Sequence, residues 1–360
     1  MRELNSKTAP KTVRPERIIQ FGEGNFLRAF VDWIISNMNE RSDFNGSVVV
    51  VQPIEKGMVD VLNRQDGLYH VNLQGLENGQ VVNTYRLIDV ISRALNPYSH
   101  FDEYMKLAEQ PEIRFVVSNT TEAGIAFDPA CRLDDRPAAS YPGKLTQLLY
   151  HRFRHFHGDK SKGLIIFPCE LIFQNGHHLK RIIRQYIDLW QLGEDFATWF
   201  EGACGVYATL VDRIVPGFPR KHIEEIQEKL QYKDQLVVQG EAFHLWVIEA
   251  PESVAQEFPA AECGLNVHFV PDEEPYHRRK VTLLNGPHTL LSPVAYLSGV
   301  DIVREACQDP DVGRYIRKVM FDELIETIDL PREELRTFAD SVMERFTNPV
   351  SYTHLTLPTI

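Results

Sequence analysis

Lys280, Asn285 and His288 stand in the run Lys280-Val-Thr-Leu-Leu-Asn285-Gly-Pro-His288. A lysine, an amide and an imidazole are what carbonyl reduction asks for. One group gives or takes a proton at the oxygen, and hydrogen-bond donors meet the negative charge that develops there. At about 100° per residue the three fall near 0°, 140° and 80° on a helix, within an arc that a long lysine can close. Leu283 and Leu284 separate them, so the segment reads as packed rather than solvated. Arg278 and Arg279 precede the lysine, and like charge with desolvation would push its pKa down toward general acid/base range. The same residues also read as a basic helix start, a turn at Asn-Gly-Pro and a satisfied core histidine. The pattern alone leaves both readings open.

A second candidate is Gly22-Glu23-Gly24, set between the apolar run Arg17–Phe21 and a helical pattern from Phe26. In a dinucleotide-binding turn the first glycine permits the tight turn. The second lets a pyrophosphate approach the helix N-terminus, where free N–H groups and the dipole favour anions. Leu27 occupies the place of the usual third glycine, and two glycines also serve strand-to-helix turns for steric reasons alone. The run after the next strand, Gln52-Pro53-Ile54-Glu55, brings its carboxylate late, so these residues leave NAD against NADP open.

The elements that must position these groups follow from periodicity. Phe26, Leu27, Phe30, Val31, Ile34, Ile35 and Met38 form one helical stripe, and Val48–Val51 is a continuous β-branched run suited to a central parallel strand. Strands are also expected at 113–117 and 163–167, and a helix over His178–Trp190. Alternating strands and helices predict an α/β fold with a doubly wound sheet. Runs at 243–249 and 266–270 are expected to extend that sheet. After Pro271 the strand-like runs cease, and helices are expected at 312–328 and 332–346, so a domain boundary is placed near 271.

The chain has 360 residues with 38 Lys+Arg against 50 Asp+Glu, a formal net charge of −12 that argues against nucleic acid and anionic membranes as partners. Its five cysteines are scattered, with no Cys-x-x-Cys pair, which excludes a disulfide framework or a zinc knot and suits a reducing, cytoplasmic compartment. No apolar leader or membrane-length segment is present in the sequence. His151, His155 and His157 alternate with arginines before Gly158 and are read as a helix end rather than metal ligands; no metal is expected. Glu122 is read as a cofactor contact or a cap.

Four motifs in order, RIIQFGEGNFLRAFVDW at 17–33, FVVSNTTEAGI at 115–125, VDRIVPG at 211–217 and KVTLLNGPH at 280–288, resemble the polyol-specific long-chain dehydrogenases, the mannitol dehydrogenase group. The resemblance runs from about residue 14 to Pro349. It implies a Rossmann-type domain over 14–270, a helical substrate domain over 271–349, and NADH-dependent, reversible reduction of a keto-uronate, tagaturonate, to altronate in galacturonate breakdown. It further implies Lys280 as general acid/base, with Asn285 and His288 polarising the carbonyl. It assigns the cofactor NAD to Gln20, Phe21, Gly22, Glu23, Gly24, Asn25, Phe26, Leu27, Arg28, Asn119 and Thr120, and the substrate side to Asp212. Two departures stand out. The mannitol branch has Ser-Cys-Asp-Asn where this chain has Pro168-Cys169-Glu170-Leu171, which argues against a neutral polyol, and a glutamate where this chain has His277. Fructuronate or a polyol remain alternatives within the family, and a non-catalytic dinucleotide sensor is the alternative outside it. Oligomeric state is not fixed. Because such enzymes continue past Asn-Pro into further basic helices, residues 350–360 are read as a foreign tail on a shortened helical domain.

Overall fold

The computed structural model describes residues 1–77, 80–121 and 123–348. Glu122 and the tail from 350 therefore lie outside the described residues.

Six strands form the main sheet: β1 (Glu16–Phe21), β2 (Ser47–Val51), β3 (Ile91–Leu95), β4 (Phe115–Ser118), β5 (Ile165–Pro168) and β6 (Gly205–Val206). Their order is β3-β2-β1-β4-β5-β6, every neighbouring pair parallel. This is the doubly wound order, in which the strand sequence reverses between β1 and β4 and opens a crevice at their carboxyl ends. All five residues of β2 are buried, as its β-branched run requires when helices cover both faces. Ile19, Val49, Val116 and Ile166 of the sheet pack with Leu145, Leu148, Leu179 and Ile183 from two covering helices, Tyr141–His155 and Asn175–Leu189. The stripe from Phe26 becomes two helices, α1 (Asn25–Ala29) and α2 (Val31–Arg41). They are broken at Phe30, where the backbone leaves the helical well (φ −117°, ψ −74°).

One expectation is corrected. The strands at Leu245–Glu249 and Val267–Val270 do not extend the main sheet; with Thr209–Asp212 they make a separate three-stranded one. Trp246 shows why, since its ring packs on Phe30, Phe167 and Phe258 at 5.6–5.7 Å. Trp246 is thus buried by packing against aromatic side chains, and its strand pairs with Thr209–Asp212 and Val267–Val270, not with β6.

Contacts divide the chain into two units. The first holds 1–71, 85–239 and 244–271; the second holds 72–84, 240–243 and the residues from 272 onward. The 72–84 segment belongs to a hairpin, Tyr69–Glu77 and Gln80–Ile88, that periodicity did not single out. In the second unit, α3 (Glu274–Lys280), α4 (Gly286–Leu297), α5 (Pro310–Lys318) and α6 (Arg332–Phe346) surround a core that includes Leu283, Leu291, Ile316, Met320 and Val342. The expected helix at 312–328 begins at Pro310, where the Asp309 side chain accepts the Asp311 and Val312 N–H groups. It then passes into wide turns over Val319–Leu324 and a 3₁₀ turn over Ile325–Thr327. Among the described residues no helix is long and apolar enough to cross a membrane.

Candidate active site

The glycine turn lies at the reversal point of the main sheet. Gly22 follows β1 with φ +125°, in the region that favours glycine, and its N–H donates to Val51 O at 3.0 Å. A Cβ there would stand 3.3 Å from Asn119 O, so the loop after β4 presses on the turn. Gly24 differs: it has ordinary backbone angles, and a Cβ on it would meet nothing within 4 Å. Its missing side chain therefore leaves open space at the N-terminus of α1. That space is a cavity of about 590 Å³, bordered by Gly22–Gly24, Pro53, Ile54, Asn119–Thr121, Ser140 and Tyr141. A somewhat larger hollow, about 620 Å³, lies along the same loop, between Gln52, Glu55–Gly57, Arg93 and His100. Arg93 there is committed to Glu16 by two hydrogen bonds of 2.8 and 2.9 Å.

Of the eleven cofactor positions, Gly22, Glu23, Gly24, Asn119 and Thr120 border the cavity, while Asn25 and Phe26 stand on α1, the latter stacked on Phe30 at 5.0 Å. The others face inward. Phe21 is fully buried against Tyr141, and Leu27 packs beneath Gly22. Gln20 is buried, its amide donating to Gly22 O at 3.1 Å. Arg28 is 1% exposed and requires a correction: its guanidinium donates to Glu23 O, Leu236 O and Asn25 Oδ1 and lies 5.2 Å from the Tyr69 ring, so it braces the turn from inside. Glu23 is also buried, which raises its pKa, and its carboxylate accepts the Met58 N–H. It thereby ties the glycine turn to the loop after β2. Beneath this turn Asp32 is wholly buried, accepts the Tyr69 hydroxyl at 2.9 Å, and has its pKa pushed up to about 7 by desolvation against the pull of Arg28.

The lysine, asparagine and histidine occupy one continuous helical rod, not a helix start and a turn. Lys280 ends α3, Val281–Asn285 forms a π-helical turn, and α4 carries His288. Pro287 accounts for the wide turn, because it has no N–H for Leu283 O and its ring would crowd that carbonyl in an α-helix. The bonding register shifts instead, and Gly286 N–H reaches back to Val281 O. A π turn advances roughly 80° per residue, so Asn285 lies about 50° from Lys280 rather than the 140° expected, with His288 close to the lysine's own direction. On this wheel the three directions fall within about 60° of one another. Lys280 and His288 are half-buried and Asn285 is exposed. Burial lowers the His288 pKa, and its ring sits edge-on to Phe346 at 6.3 Å. His277 is also pulled down, by burial first and then by the charge on Lys280. The two arginines expected to press on the lysine are engaged elsewhere. Arg278 pairs with Glu274 at 2.9 Å, and Arg279 pairs with Glu334 against the Phe338 ring.

Asp212 is buried in the small sheet, in register with Leu245. Among the described residues no group of three His, Cys, Asp or Glu side chains is placed to hold a metal ion, and His151 pairs with Glu109 at 2.9 Å.

A glycine turn at the switch point of a doubly wound sheet is the layout of a Rossmann-type domain. The mannitol dehydrogenase Rossmann domain matches residues 16–261, and the mannitol dehydrogenase C-terminal domain matches 272–355, which takes in part of the stretch read as foreign. The chain belongs to the mannitol dehydrogenase family and is an oxidoreductase acting on CH–OH groups. It is 78% identical over 349 residues to an altronate oxidoreductase of Phocaeicola vulgatus, covering 97% of this chain and 73% of that one. One from Bacteroides thetaiotaomicron is 76% identical with the same coverage, and one from Escherichia coli is 49% identical over 97% of this chain and 72% of its own. A substrate-free D-sorbitol dehydrogenase superposes with a TM-score of 0.79 at 21% identity, over 96% of this chain and 75% of that one. The Pseudomonas fluorescens mannitol 2-dehydrogenase, solved with NAD and D-mannitol, gives 0.76 at 21% identity over 98% and 75%. At that identity these two structures establish the fold.

Proposed function

We propose that the chain reduces tagaturonate to altronate with NADH, reversibly. The altronate oxidoreductases it resembles at 76–78% identity support the substrate, and the wide turn that gathers Lys280, Asn285 and His288 carries the chemistry. The residues present fit a dinucleotide: an unfilled Cβ direction at Gly24 opens on the α1 N-terminus, where an anion is favoured. Gly22–Gly24 would hold the pyrophosphate through backbone N–H groups, and Asn119 and Thr120 would wall the cavity beside it. Bound there, the cofactor supplies the hydride.

The protein's own part is to manage charge on the ketone oxygen. Asn285 donates a hydrogen bond to it, and His288, kept neutral by burial, donates through one ring N–H. Lys280 gives its ammonium proton to that oxygen as the alcohol forms and takes it back in the reverse direction. The anionic substrate suits this basic helix in a chain whose net charge is −12.

A panel of keto-uronates with NADH and NADPH tests the reading. Tagaturonate with NADH should give the highest kcat/KM. Lys280→Ala should lower the rate by about two to four powers of ten and leave NADH affinity unchanged, the signature of a lost general acid. NADH binding without oxidation by any keto-uronate would make the protein a sensor.

A further inference from the structure

Glu170 has no place in the chemistry above, yet it is 2% exposed and sits one loop away from the cavity. Its surroundings are unusually complete for a buried carboxylate. Oε1 accepts the Thr120 N–H at 2.9 Å and the Thr120 hydroxyl at 3.1 Å, and Oε2 accepts the Ser118 hydroxyl at 3.1 Å. Every one of these donors belongs to the end of β4 or the loop that follows it. The same loop is held again by Asn119, whose amide donates to Cys169 O at 2.6 Å. Burying a carboxylate costs several kcal/mol unless its oxygens are met, so three bonds to a single loop describe a clamp rather than an accident of packing.

The clamp has a fixed base. Asn175 is fully buried, and its amide donates to Pro168 O, Glu170 O and Thr209 O at 2.9–3.0 Å. Its Oδ1 accepts the Thr209 and Gly176 N–H groups, both at 2.8 Å. The Pro168–Gln174 loop is therefore knotted to the small sheet on one side while its carboxylate grips the β4 loop on the other. At the far end, the Asn119 carbonyl lies 3.3 Å from where a Gly22 Cβ would be. A path of direct contacts thus runs from Asn175 through Glu170 and residues 118–120 to the first glycine of the turn.

We propose that Glu170 is a positioning residue for the cofactor: its carboxylate fixes the 118–120 wall against the glycine turn at the spacing a dinucleotide needs. The proposal rests on the cavity being the NADH site. Asn119 and Thr120 border that cavity while the Asn119 amide donates to Cys169 O and the Thr120 hydroxyl to Glu170, so the position of the wall depends on the Pro168–Gln174 loop and on the Glu170 carboxylate in it. Glutamine keeps an acceptor for both Thr120 donors, and its NH₂ can donate to a Ser118 hydroxyl that has turned round. Alanine removes all three bonds.

The test compares wild type, Glu170→Ala, Glu170→Gln and Ser118→Ala by NADH fluorescence titration, by steady-state KM for each substrate, and by thermal unfolding. Ser118 is fully buried and does not border the cavity, but its hydroxyl also meets that of Tyr141, which does, so Tyr141→Phe, which leaves the clamp bonds in place, is titrated beside it as the control. Glu170→Ala should weaken NADH binding tenfold or more with the tagaturonate KM held within about twofold. Glu170→Gln should recover to within threefold of wild type, and Ser118→Ala should weaken NADH about threefold to fivefold. Unchanged NADH affinity in a folded Glu170→Ala protein overturns the proposal, as does a glutamine variant no better than alanine. Should the alanine variant fail to fold, Ser118→Ala decides, and wild-type affinity there overturns it. Absence of NADH binding by the wild-type protein would strike the cofactor reading instead.

Discussion

Gly24 and Gly22 have the same side chain and opposite reasons for it. Gly22 needs its positive φ, whereas a Cβ on Gly24 would point into empty space, so nothing in the protein itself asks for glycine at 24. Gly24→Val should therefore fold and melt like wild type but lose NADH affinity by about a hundredfold or more, because the branched side chain fills the approach to the α1 N-terminus. A titration showing normal binding would remove the turn from the cofactor site. Asp32 gives a second expectation, with a sign that can be worked out. Its folded pKa, about 7, lies above the unfolded carboxylate value, so the neutral form favours folding. That contribution is complete below the unfolded pKa and is lost as pH rises through about 7. Between pH 5 and 7 the wild type should lose about 2 kcal/mol from this group, at about 1.4 kcal/mol per pH unit between the two pKa values, and above the folded pKa the group adds no further slope. Asp32→Asn should flatten the slope in urea unfolding followed by tryptophan fluorescence; an equal slope in both proteins refutes the assignment. The two glycines were legible in the sequence because a turn is a local event. Arg28 was misread as facing the cofactor because its partners, Leu236 and Tyr69, are remote in the chain and nothing in its own neighbourhood names them.

The π turn is where helical periodicity stops being a sufficient guide. The sequence pattern placed a helix through 280–288, correctly, but at 100° per residue it put Asn285 far round from Lys280. The register belongs to Pro287, whose missing donor and ring leave the α ladder unfavourable at Leu283 O. Pro287→Ala returns the donor and lets the segment relax toward α geometry, swinging Asn285 away from the lysine by roughly 90°. The expected result is a kcat lower by about tenfold to a hundredfold with NADH affinity unchanged and a melting temperature equal or higher, since misplacement of a reacting group costs rate while the helix gains a bond. Full activity would mean that the wide turn does not gather the site. The same limit explains the strands at 245–249 and 267–270. Their apolar character was visible and their burial followed from it, but a strand's pattern reports which face is covered and not which edge it joins.

At the scale of the chain, the change of texture after Pro271 marked where the helical unit's main segment begins. It gave no hint that 72–84 and 240–243 belong with that segment, because membership is decided by contacts formed across more than a hundred residues. The residue that fastens one of these pieces is Arg345 on α6. It donates to Glu241 by two bonds of 3.0 and 2.7 Å and lies 4.2 Å from the Phe243 ring, with both charges 6–7% exposed. A buried pair of this kind need not add net stability over an apolar substitute, but removing one partner leaves the other charge uncompensated and costs about 3–5 kcal/mol. Arg345→Ala and Glu241→Ala should each destabilise the helical unit by that order. The double variant should lose clearly less than the sum, since no lone charge remains. Two signals separate the units. Far-UV circular dichroism includes the helices of the second unit, whereas Trp33, Trp190, Trp199 and Trp246 are the chain's four tryptophans and all lie in the first. The single variants should show loss of helical signal at lower urea than the tryptophan transition. A strictly additive double variant would deny the coupling, and a single variant whose two signals shift together would deny that the pair serves the helical unit in particular.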